Sequence, residues 1–89
     1  LKMQSSYHKV PYIDHDIKCT EKIPENLRAL VETLEQCDKE NPILYFDYVD
    51  AFIVNVKNAY AAGVISKTTY DALNEKYFVH ALWISEMEE

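Results

Sequence analysis

Five residues carry side chains suited to zinc: His8, His15, Cys19, Cys37 and His80. Structural zinc sites show paired ligands at C-x₂₋₄-C or H-x₃₋₅-H spacing, and here only His15-x₃-Cys19 comes close. Ile13, His15, Ile17 and Cys19 alternate with Asp14, Asp16, Lys18 and Thr20. On an extended backbone that alternation puts His15 and Cys19 on one side. With no second pair, the simpler reading is a half-buried histidine and a buried free thiol. Asp47 and Asp50 stand three apart and so share a helix face. Paired carboxylates can do acid–base or metal work, but they need a pocket and further ligands. No E-x-x-H companion lies nearby, and the pair reads as the solvated edge of an apolar helix. There is no G-x-S-x-G and no P-loop. The expectation is therefore a non-enzymatic chain with no cofactor. The alternative is a small metal-binding protein or enzyme using His15, Cys19, Asp47 and Asp50. Metal analysis of the purified protein separates the two.

Tyrosine is the unusual residue: seven in 89, at 7, 12, 45, 48, 60, 70 and 77. Tyr joins apolar area to a polar tip and is enriched at interfaces. Near the end of the chain Tyr77, Phe78, Leu82 and Trp83 fall within a run that is apolar on every side except His80. A three-helix domain can cover one face of that run, through Tyr77, Ala81 and Ile84. Phe78 and Leu82, with Trp83 at the edge, then form a contact surface, unless the Ile13–Cys19 arm folds over them. Tyr77, Phe78, Leu82 and Trp83 are accordingly the candidate interface.

The net charge is −6. It is uneven: residues 1–22 carry +1 and residues 23–89 carry −7, with five basic against twelve acidic residues. An acidic helical body disfavours nucleic acid and anionic membrane as partners. It permits a protein partner, a second copy of the chain, or both. No stretch approaches the ~18 apolar residues of a membrane span, and the first residues lack a signal peptide's apolar region. Cys19 and Cys37 read as free cytosolic thiols, so the expected location is the cytoplasm.

The elements that position these residues are helical. Pro24 and Glu25 open a first helix, spanning 23–40, with Leu27, Leu30, Val31, Leu34 and Cys37 as its buried stripe. Its outer face holds Glu25, Arg28, Glu32, Glu35, Asp38 and Lys39. Asn41 is a suitable N-cap and Pro42 a suitable first-turn residue for a second helix, 42–62. Phe46, Val49, Ile53, Val56 and Tyr60 form one apolar row on it, and Tyr45, Tyr48, Phe52 and Ala59 form another. A helix this apolar is normally central. Gly63, the only glycine, stops it, because a C′ residue with positive φ costs glycine nothing. Ser66 then caps a third helix, 66–87, antiparallel to the second. Short apolar runs at 43–46 and 77–84 also suit strands, but each continues a longer helical pattern without a breaker. The period-two run 13–19 predicts a half-buried extended segment or strand. It lies across the helices or pairs with another chain.

The stretch Asn58-Ala59-Tyr60-Ala61-Ala62-Gly63-Val64-Ile65-Ser66-Lys67-Thr68-Thr69-Tyr70-Asp71-Ala72-Leu73 is a "helix, Gly, two aliphatics, Ser/Thr, helix" hairpin. With Leu30-Val31-Glu32-Thr33-Leu34-Glu35 before it, the chain resembles small uncharacterised helical proteins of bacterial mobile elements and phages. The likeness covers about half the chain, and its motif is a turn rather than a site. It implies an accessory protein acting by contact with other proteins, including inhibitors of host defence. The reading is thus a mainly α, three-helix domain with a C-terminal antiparallel hairpin and an extended N-terminal arm (1–22). Its function is protein interaction.

Overall fold

Helix α1 runs Glu25–Glu40, and Pro24 lies just outside it, its carbonyl accepting the N–H groups of Leu27 and Arg28. The computed structural model describes residues 11–87, so His8 and Tyr7 lie outside the described residues. Leu27, Leu34 and Cys37 are buried along α1, whereas Leu30 and Val31 are only half-buried. Asp38, expected on the outer face, is buried too. It follows Leu34 by four residues and so shares the inner stripe.

Asn41 does not cap with its side chain; its carbonyl accepts from Leu44 N–H at 3.0 Å. A 3₁₀ turn, Pro42–Leu44, therefore leads into α2, Tyr45–Ala61. Tyr45, Val49, Phe52 and Val56 are buried, while Phe46, Ile53 and Ala59 are half-buried. Tyr48 and Tyr60, placed in the apolar rows by sequence, are exposed. The buried face runs between the two rows. Helix α2 packs against both α1 and the third helix, which explains its apolar girth.

The end of α2 is a Schellman turn. Gly63 has φ +77°. Gly63 N–H donates to the Tyr60 carbonyl at 3.0 Å, and Val64 N–H to the Ala59 carbonyl at 2.9 Å. Ser66 then caps the next helix, its Oγ accepting from Thr69 N–H at 3.2 Å. The third helix has three parts: α3 (Lys67–Asn74), a π turn (Glu75–Val79) and α4 (His80–Met87). Tyr60 stacks on Tyr70 with centroids 4.8 Å apart, and Phe52 meets Tyr77 edge-on at 5.2 Å. As residue numbers fall along α2 they rise along the third helix, so the hairpin is antiparallel. Residues 77–84 are helical throughout.

No strand occurs among the described residues. Of the two forms expected for 13–19, an extended segment or a strand, the strand does not form, and a turn interrupts the segment at its start: Asp14 Oδ1 accepts from Asp16 N–H and its carbonyl from Ile17 N–H. An Asp in this role satisfies backbone donors locally, and no ladder partner competes. Ile13 and Tyr12 nonetheless enter the core, Tyr12 lying 5.1 Å, centroid to centroid, from both Tyr45 and Phe46.

Candidate functional site

The residues singled out for metal or acid–base chemistry are not brought together. His15 sits exposed on the Asp14–Ile17 turn, and Cys19 is half-buried with its Sγ 3.7 Å from the Glu21 carbonyl. The turn removes the two-residue repeat that would have aligned them. Asp47 and Asp50 are both exposed on α2. Among the described residues no three His, Cys, Asp or Glu side chains are grouped to hold a metal ion. Cys37 lies in the core, where burial pushes its thiol pKa up. One concavity of about 430 Å³, lined by Lys22, Ile23, Pro24, Glu25, Arg28 and Val64, contains no nucleophile–base pair.

What the structure does gather is a strap. Tyr12 N–H donates to Asp38 Oδ1 at 2.9 Å and Ile13 N–H to Asp38 Oδ2 at 3.3 Å. The Tyr12 carbonyl lies 3.0 Å from His80 Nδ1, and Asp14 N–H donates to the Lys76 carbonyl at 3.0 Å. Since a carbonyl only accepts, His80 carries its proton on Nδ1 in this contact. Three successive residues of the arm are thus held through their main chain by α1 and by the third helix.

The π turn makes part of this possible. Its bonds reach five residues back, as from His80 N–H to the Glu75 carbonyl. Within the widened turn the Lys76 carbonyl takes the arm's N–H. The Tyr77 carbonyl takes the Tyr45 hydroxyl at 2.6 Å. Burial first, then the Asp38 carboxylate, raises the Tyr45 pKa far above the ordinary phenol range, so it stays a neutral donor. Burial likewise pushes Tyr77 up to about 12. These polar groups are spent on holding the fold.

A second anchor lies further along the arm. Glu21 Oε1 accepts from Ser66 N–H at 3.2 Å, from Ser66 Oγ at 2.8 Å and from Thr69 Oγ1. In a capping box the residue at N3 returns a carboxylate to the N-cap N–H. Here N3 is Thr69, and Glu21 supplies the carboxylate from 45 residues away. The hydroxyls of Thr69 and Ser66, then the Ser66 amide, hold its carboxyl pKa below the ordinary value.

The candidate interface divides. Tyr77 is buried against Phe52 and does not belong to any surface. Phe78 is half-buried and packs on the core. Leu82 and Trp83 are exposed, at 40 % and 57 %. The strap docks at Lys76 and His80 and leaves them uncovered. Val79, which sequence reasoning passed over, is 41 % exposed beside them. Positions 79, 82 and 83 form one apolar stripe (i, i+3, i+4), with Glu86 next along the same side, opposite the buried Ala81 and Ile84.

Comparison with protein-family models, with curated proteins and with solved structures finds no match to this chain. No helix among the described residues is long and apolar enough to cross a membrane.

Proposed function

We propose that this chain is a small, acidic, non-enzymatic protein-interaction module acting in the cytoplasm, with Val79, Leu82 and Trp83 as its contact stripe. One observation carries the reading. The side of the third helix opposite the core, where a surface helix normally presents polar residues, exposes three large apolar side chains in register, Val79 at the end of the π turn and Leu82 and Trp83 on α4. Trp is also the residue type most often found at the energetic centre of an interface. The hairpin's resemblance to mobile-element and phage accessory proteins supports a host protein as the partner, which the module binds and so inhibits or regulates.

The test compares two surface variants in pull-downs from the source cell. Leu82→Lys with Trp83→Ser alters the stripe; Val54→Lys alters an apolar residue on α2 that is 58 % exposed. Both variants should keep the parent's circular dichroism and melting temperature within a few degrees. Capture of the specific partner should vanish for the first and persist for the second. Equal capture by parent and stripe variant would refute the assignment.

A further inference from the structure

The geometry points to a partner of one kind: a basic amphipathic helix lying along the third helix, with its apolar stripe on Val79, Leu82 and Trp83. This rests on the contact stripe proposed above and adds the partner's chemistry. The i, i+3, i+4 arrangement of Val79, Leu82 and Trp83 is a ridge a second helix packs against. From Asp71 to Met87 the third helix spans about 24 Å at ~1.5 Å per residue, enough for a partner helix of roughly four turns.

Charge identifies the occupant. Asp71 and Glu75 precede the stripe and Glu86 follows it, all three exposed. From Lys67 to the end the sequence holds five acidic residues (71, 75, 86, 88 and 89) and two basic, Lys67 and Lys76, so 2 − 5 = −3. Lys67 Nζ is 2.9 Å from Asp71 Oδ2 and offsets that carboxylate, and Lys76 Nζ lies over the Tyr77 ring at 5.4 Å from its centroid, so Glu75 and Glu86 are the acids that flank the stripe. An apolar centre with Glu75 before it and Glu86 beyond it matches Lys or Arg flanking an apolar stripe. A second copy fits badly: paired parallel or antiparallel, its acidic ends meet acidic ends. A nucleic acid or an anionic bilayer carries the same sign as this face. Trp83 adds an aromatic face that a Lys or Arg can cover.

The probe is a Leu/Lys amphipathic peptide of about 18 residues lacking tryptophan, titrated into the intact chain. Trp83 is the only tryptophan, so its emission reports directly on the stripe. The expected result is a saturable blue shift, weakened about tenfold or more between ~0.05 and ~0.5 M salt. Glu75→Lys with Glu86→Lys should weaken binding by a similar factor, and Leu82→Ser should abolish it at an unchanged melting temperature. A scrambled Leu/Lys peptide should bind at least about tenfold more weakly, since it has charge but no stripe. Equal binding by the scrambled peptide overturns the inference, and so does absence of any shift. Preferential binding of a Leu/Glu peptide through Leu82 would also overturn it while leaving the contact stripe standing. Concentration-dependent dimerisation lost in Leu82→Ser would have the same consequence. If Leu82→Ser changes none of these, the stripe itself fails.

Discussion

Asp38→Ala tests whether the strap is integral to the fold. Asp38 is the acceptor for two consecutive backbone N–H groups, from Tyr12 and Ile13. With the carboxylate gone, the arm faces two choices. If it stays docked, two buried donors lose this acceptor, at about 1–3 kcal/mol each. If it leaves, Ile13, which is 1 % exposed, returns to water at about 1.5–3 kcal/mol, with part of Tyr12 added. The chain takes the cheaper course, so the expected loss is about 2–4 kcal/mol. For a domain of this size that lowers the melting temperature by about 10–25 °C. Asp38→Asn keeps one carbonyl oxygen but turns an N–H donor toward the other amide, and should lose about half as much. Calorimetry gives the melting temperature, and hydrogen exchange at the Tyr12, Ile13 and Asp14 amides shows which course the arm takes. A melting temperature within about 2 °C of the parent, with those amides still protected, would refute the account of the strap.

Three further outcomes follow from the same geometry. At Gly63 a Cβ would meet nothing within 4 Å, so Gly63→Val should lose on the order of 1 kcal/mol or more through backbone strain alone, with Gly63→Asn milder in the same thermal melts. Leu34→Ala should cost roughly 2–5 kcal/mol in urea titrations and half-buried Leu30→Ala less, while Glu32→Ala and Glu35→Ala stay within about 0.5 kcal/mol. Glu21 has a folded pKa lowered from 4.5, so its contribution is fully present above pH 4.5 and is lost as pH falls through the folded value. Melting temperatures of the parent and Glu21→Gln across a pH series should therefore converge below pH 4.5, and a constant gap there would exclude this cap as the cause.

The helices were legible because their signals are local. Gly63 and Ser66 announce a stop and a start within a few residues, and Tyr77, Ala81 and Ile84 face the core as their spacing requires. The arm's fastening was not legible, for the opposite reason. Asp38 pairs with residues 25 and 26 positions away, and Glu21 with residues 45 and 48 away. A single carboxylate on a charged helix looks solvated until the segment that covers it is in place. Of the two readings of the alternation Ile13–Cys19, the arm laid across the helices is the one that forms, and the strand is not. The alternation marks Ile13, which enters the core, and Cys19, which packs against it, beside a main chain bonded to the Asp38 carboxylate, the His80 ring and the Lys76 carbonyl rather than to a strand. Tyr77 falls in the same apolar run as Phe78 and Leu82, but its spacing from Leu73 and Ala81 puts it inside, where it is buried.

The π turn has a trace in the sequence, which explains why the outer stripe exists at all. Thr69, Leu73, Tyr77 and Ala81 are all buried and follow one another at intervals of four. In an unbroken α-helix each such step drifts about 40°, so Ala81 would stand about 120° from the face of Thr69. A widened turn between 75 and 79 holds more residues per revolution and removes most of that drift. It returns Ala81 and Ile84 to the core. Residues on the opposite side of α4 are then turned squarely outward, and those residues are Leu82 and Trp83, with Val79 at the junction. The same widening presents the Lys76 and Tyr77 carbonyls to donors from outside the helix, Asp14 N–H and the Tyr45 hydroxyl. Aiming the stripe and fastening the arm are therefore two consequences of one local change in helical pitch. A helix end that served only the core had no need of apolar side chains on its outer face, and that excess is the basis on which a contact is proposed there.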